Sequence, residues 1–148
     1  MAWIFALWAQ CRTGEEASAF AAHFAQQRWS LRDGVSTVCS ASIEADTCCW
    51  IQPSNVSRSG VTDETVAAQL AEVGTLLHEH LRTAPAFLFA LVGVEVDDVR
   101  TEAEMEELAR DTHRAYQGLV VSVDLWQRAG QPPGFDPFRP GHLWRRPP

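Results

Sequence analysis

The apolar positions of the chain fall into runs whose period switches between two and 3.6 residues, and each switch marks a new element. Residues 3–11 join Trp3, Ile4, Phe5, Leu7 and Trp8 in an apolar run that ends before Thr13-Gly14, which predicts a buried first strand. Trp3 and Trp8 lie five apart and so point to opposite faces, one of them away from a single-layer core or into a second layer. Thr13-Gly-Glu-Glu16 has the capping-box spacing, a hydroxyl for one orphan N–H and a carboxylate three residues on. A helix therefore begins at about residue 14, with Ala17, Phe20, Ala21 and Phe24 on its apolar face.

From Val35 the period becomes two, and residues 35–52 predict an antiparallel hairpin turning near Glu44-Ala-Asp-Thr47. Pro53 to Gly60 is loop. Thr62-Asp63-Glu64 caps a second helix, which runs to about Arg82 and buries Val66, Leu70, Val73, Leu77 and Leu81. Pro85 ends it, and the apolar run from Ala86 to Val96 predicts a central strand. Thr101-Glu-Ala-Glu104 repeats the capping-box pattern and starts a third helix, through about Arg114, with Met105, Leu108 and Ala109 inward. Leu119 to Trp126 predicts a last strand. From Gly130 the chain has no period and is punctuated by proline, so an irregular tail is expected, stapled by Phe135, Phe138, Leu143 and Trp144.

The order β-α-β-β-α-β-α-β predicts an α+β fold: a ferredoxin-like βαββαβ core extended by a further α-β unit. One sheet would carry helices mainly on one face, and an irregular Pro-rich tail would follow. Residues 1–129 would form a single domain and residues 130–148 a tail packed on it. At 148 residues and 46% hydrophobic content the chain has core material enough to fold alone, which excludes disorder.

Charge adds a direction to this picture. There are 19 acids against 12 bases, every base is an arginine, and the formal net charge is −7. Residues 61–111 hold twelve acids and three arginines, net −9, whereas residues 112–148 hold two acids and five arginines, net +3. An acidic middle repels a phosphate backbone, so nucleic acid and anionic membrane are excluded as partners of that face. The first residues lack a basic n-region, and no run approaches the roughly twenty apolar residues of a membrane span, so a cytoplasmic protein is expected. Cys11, Cys39, Cys48 and Cys49 match no CxxC or zinc spacing and read as reduced, buried thiols. Adjacent Cys48 and Cys49 would face opposite sides of a strand.

Chemical motifs are few. His78 and His80 stand about 200° apart on a helix, so they cannot face one ion from that element alone, and they read as solvent-facing residues near a helix C-terminus. The chain has neither GxSxG nor GxGxxG, and without lysine it has no P-loop of the usual kind. No catalytic, cofactor-binding or metal-ligating set is expected, and the balance is against an enzyme. The carboxylates Asp97, Asp98, Glu102, Glu104, Glu106, Glu107 and Asp111 form the densest charged group. Apart from keeping a helix solvated, they suit an acidic docking surface for a basic protein, with Trp50 as an aromatic anchor.

These features predict a non-catalytic, acidic protein-binding module, most concretely a bacterial immunity or antitoxin-type inhibitor that covers a basic toxin or enzyme with carboxylates. The alternative is a small-molecule-binding or cofactor-independent enzyme of the dimeric α+β barrel type. Its pocket would lie on an open sheet face lined by Trp3 or Trp8, Cys39, Cys49 or Trp50, and Phe89, and a homodimer would close it.

Overall fold

The computed structural model describes residues 4–56, 64–94, 102–110 and 118–147. In chain order its elements are β1 (Phe5–Gln10), α1 (Gly14–Phe24), β2 (Arg28–Ser30), β3 (Ser36–Glu44), β4 (Cys48–Pro53), α2 (Glu64–Leu81), β5 (Phe89–Val94), α3 (Glu102–Arg110), β6 (Leu119–Ser122), α4 (Val123–Arg128), β7 (Asp136–Arg139) and β8 (His142–Trp144). The eight strands make one antiparallel sheet in the order β2-β3-β4-β1-β5-β6-β8-β7. The fold is α+β, as expected.

Thr13 caps α1, its Oγ1 accepting from Glu16 N at 3.1 Å, while the Glu16 carboxylate reaches back to Arg12 N at 3.0 Å. This is the capping box read from the sequence, with the glutamate accepting from one residue further upstream. The β3–β4 hairpin turns through Ala45 and Asp46, both at positive φ, and pairs Ser42 with Trp50 and Glu44 with Cys48. The two longest apolar runs, β1 and β5, lie side by side in the middle of the sheet, Trp8 opposite Leu91.

Both faces of this sheet are covered. Phe5, Leu7, Ala9, Cys49, Ile51, Ala90 and Val92 meet Phe20 and Phe24 of α1 and Val73, Leu77 and Leu81 of α2. On the opposite face Ala6, Trp8, Phe89, Leu91, Leu119 and Val121 meet Met105, Leu108 and Ala109 of α3 and Leu125 of α4. The expectation of helices mainly on one face is corrected: there are two on each. An antiparallel sheet usually leaves one side wet, but the unbroken apolar run of β1 supplies large side chains to both sides, and each needs a cover. Cys48 and Cys49 fall in the two different layers, as strand alternation requires.

Two further expectations change in the C-terminal part. The predicted last strand stops at Ser122, whose Oγ accepts from Leu125 N at 3.1 Å and so caps α4. The segment read as an irregular tail instead supplies two strands, with β8 paired to β6 and β7 at the sheet edge. Pro137 is admissible there because an edge strand has one side without a ladder partner. β2, at the other edge, was not expected either; three residues are too few to set up an alternating pattern. The predicted extension of the third helix to Arg114, the caps Thr62-Asp63 and Thr101, and the end of the central strand at Val96 lie outside the described residues.

Candidate functional site

The acidic helix α3 takes its orientation from its apolar residues. Met105, Leu108 and Ala109 are buried in the second layer, which turns Glu104 and Glu107 out to solvent. Glu106 points along the surface toward α4 and pairs with Arg128 at 3.3 Å, and Arg128 also meets Asp124 at 3.2 Å. The C-terminus of α3 is closed by Arg145, whose Nη2 donates to Ala109 O at 2.8 Å. A cation at that end complements the helix dipole. Asp97, Asp98 and Asp111 lie outside the described residues, and Glu102 is placed only as the first residue of the helix. Trp50 is half-buried against the layer beneath α3, beside Trp8 across the β1–β4 ladder. It therefore belongs to the same layer as α3 without standing out as a free anchor.

The four described histidines are occupied by the backbone. His23 Nε2 contacts His80 O at 2.9 Å, and His80 Nε2 contacts His23 O at 2.7 Å. His142 donates from Nε2 to Phe87 O at 2.8 Å and accepts at Nδ1 from Arg139 Nε at 3.2 Å. His78 is only 3% exposed, with Nδ1 2.8 Å from Gly74 O and Nε2 3.1 Å from Gly118 O. The reading of His78 and His80 as solvent-facing is therefore corrected: α2 turns both toward neighbouring elements, and burial lowers both pKa values. Among the described residues no group of three or more His, Cys, Asp or Glu is arranged to hold a metal.

All four cysteines are buried and free. Burial pushes the Cys39 thiol up to about 12, and Cys48 is also raised by burial. A hydrogen bond shared with Cys49 raises Cys11 and lowers Cys49. None of these sulfurs meets solvent as an available nucleophile.

No protein-family model, no curated protein and no solved structure matches the chain.

Of the tryptophans, Trp8 is buried to 1% exposure in the second layer, while Trp29, Trp50, Trp126 and Trp144 are half-buried. The sheet face outside β3 presents Ser40, Ser42 and Glu44, all exposed. It lacks the continuous apolar surface that closing a barrel between two copies requires. Among the described residues Ile43 is the one exposed large hydrophobic, at 41%.

Two hollows flank α2. One, of about 910 Å³, opens on its outer side between Asp33, Glu72 and Glu79. There Glu72 accepts from Arg32 N at 3.1 Å and Asp33 accepts from Gln69 at 2.9 Å, so two of its acids anchor the loop after β2 to the helix. The other, of about 490 Å³, lies between α2 and the sheet and is walled by Phe5, Leu70, Val92 and Trp144, with Thr75, His78 and Arg146 as its polar side chains. The sequence signalled neither hollow: each joins residues far apart in the chain, and no local motif records the meeting. No helix among the described residues is long and apolar enough to cross a membrane.

Proposed function

We propose that this chain is a non-catalytic protein-binding module of the bacterial immunity or antitoxin kind, which engages a basic toxin or enzyme through the carboxylates of α3. The observation that carries the reading is the orientation of that helix. Met105, Leu108 and Ala109 are spent on the sheet, leaving Glu104 and Glu107 exposed on an outer face whose neighbours in sequence are also acidic. Carboxylates held on a packed helix steer a cationic partner and pair with arginine or lysine without first losing much freedom. Glu106 lies on the flank toward α4, where it pairs with Arg128. The occupied histidines and buried thiols support a binding role over a catalytic one.

On this reading the fold belongs with ferredoxin-like proteins. Support comes from the order β3-β4-β1-β5, all antiparallel, with α1 and α2 together on one face. The remaining strands and α3 and α4 are then additions, and the proposed docking helix is one of them. Four free, buried thiols suit a reducing, cytoplasmic setting.

The test is co-purification from the native host with wild-type protein and with the double variant Glu104→Arg, Glu107→Arg. A basic partner retained by the wild type, shed at high salt and lost by the variant is the expected result. Retention of the same partner by the variant would overturn the assignment to α3.

A further inference from the structure

We infer that the hollow between α2 and the sheet is a binding site for an apolar monocarboxylate, with its chain against Phe5, Leu70, Val92 and Trp144 and its charge toward Arg146. This site is independent of the α3 surface, which belongs to the opposite layer of the molecule.

Size and wall chemistry make the first part of the case. About 490 Å³ is ordinary for a small-molecule pocket, and the walls are mostly apolar with few polar groups. The hollow persists because of two glycines. A side chain at Gly74 would grow toward Phe5, and at Gly118, with φ of +87°, even a Cβ would press on His78 at 3.2 Å. Larger residues at those positions would fill the floor.

Charge makes the second part. The protein carries a net charge of −7, yet the described residues lining this hollow include no carboxylate, whereas the groove on the other side of α2 has three. Arg146 pairs through Nε with Asp136 at 3.2 Å, and its guanidinium carbon lies 5.9 Å from the centre of the Trp144 ring. Its Nη groups make no hydrogen bond among the described residues, which leaves a fork suited to a carboxylate.

His78 adds a polar device. A neutral imidazole has one N–H, yet both ring nitrogens of His78 face carbonyl oxygens, those of Gly74 and Gly118. The imidazolium satisfies both acceptors. Desolvation and Arg82 on the same helix oppose that form, while Phe138 and Trp144, packed against the ring from β7 and β8, add no charge. With both nitrogens engaged, His78 shapes the wall and leaves Arg146 as the group that meets the ligand's charge.

The experiment is a titration of the protein with decanoate, followed by the amide resonances of Gly74 and Gly118 and the indole N–H of Trp144, with decanol as the uncharged control. Saturable shifts at these three positions are expected with decanoate, and binding at least several-fold weaker with decanol. Arg146→Gln, an exposed change that leaves the fold intact, should weaken decanoate by about tenfold. Gly74→Leu, which raises helix propensity while filling the floor, should abolish the shifts at Gly118 and Trp144. Absence of saturable shifts in the wild type, equal binding of decanol and decanoate, or full binding by Gly74→Leu would each overturn the inference.

Discussion

His23 and His80 lie face to face, with ring centroids 4.0 Å apart and planes 15° from parallel, and each ring nitrogen Nε2 meets the other residue's backbone carbonyl. A carbonyl can only accept, so both rings carry their proton on Nε2. The exchange ties the C-terminal turn of α1 to that of α2, where the last carbonyls of a helix otherwise lack partners. Two imidazoles thus do work that a pair of loop residues would do less rigidly.

Acid should loosen this corner and its neighbours. Desolvation is the first cause lowering the pKa of His78, His80 and His142 from the ordinary 6.5. Below pH 6.5 the unfolded chain then binds more protons than the folded one, so stability is whole above that value and is lost as pH falls toward the folded pKa values. Urea midpoints at pH 7.5 and 5.5 should fall in that order. The drop should be smaller in His80→Gln, and a midpoint that rises on acidification would contradict the assignment.

Arg139 should resist replacement by lysine. Its Nη1 donates to Ala84 O at 2.5 Å, and its Nε reaches His142 Nδ1 at 3.2 Å. Lysine keeps the charge but has no second donor in the same plane. Both Arg139→Lys and Arg139→Ala should therefore lose stability, by about 1–3 kcal/mol for alanine and most of that for lysine, measured by chemical denaturation.

Trp8 offers a contrast between volume and polarity. The residue is fully enclosed, yet its indole N–H has no hydrogen-bond partner among the described residues. Trp8→Ala should cost about 3–5 kcal/mol through the cavity it leaves. Trp8→Phe removes an unpaired donor together with the lost volume, and should cost well under half as much in the same denaturation measurement.

The thiols should be silent in the folded protein. With Cys11, Cys39, Cys48 and Cys49 all buried, a thiol-specific reagent at pH 8 should label the native chain only as fast as it opens, and all four cysteines at once in denaturant. Rapid native labelling of any one would show that its strand is less well covered than its packing implies.

Reading the chain in order recovers what is local. Thr13 and Glu16 announce α1, and the alternation after Val35 announces β3 and β4. Pro85 and the apolar run behind it announce β5, and Met105, Leu108 and Ala109 already show which side of α3 is buried. What depends on distant partners stays hidden. Nothing local says that β1 must be covered on both faces, because Trp8 looks the same whether it ends in a core or in solvent. His78 and His80 look exposed until Gly118 and His23 are brought against them. The strands β7 and β8 escape notice because Pro137 and Pro140 punctuate them, and their pairing is set by β6 rather than by their own pattern. For the candidate surface, the sequence supplied the charges and the structure supplied their direction, with Glu106 diverted to Arg128. The hollow beside α2 required Phe5, His78 and Trp144 to meet from three ends of the chain.

Arg139 and Arg145, both from the C-terminal segment, close the C-terminal ends of α2 and α3 on opposite faces of the sheet. One short segment, residues 136–145, thus contributes to both helix ends, alongside the His23 contact that α2 already has. A chain cut before residue 136 would therefore lose a donor at both helix ends at once, one in each layer of the molecule.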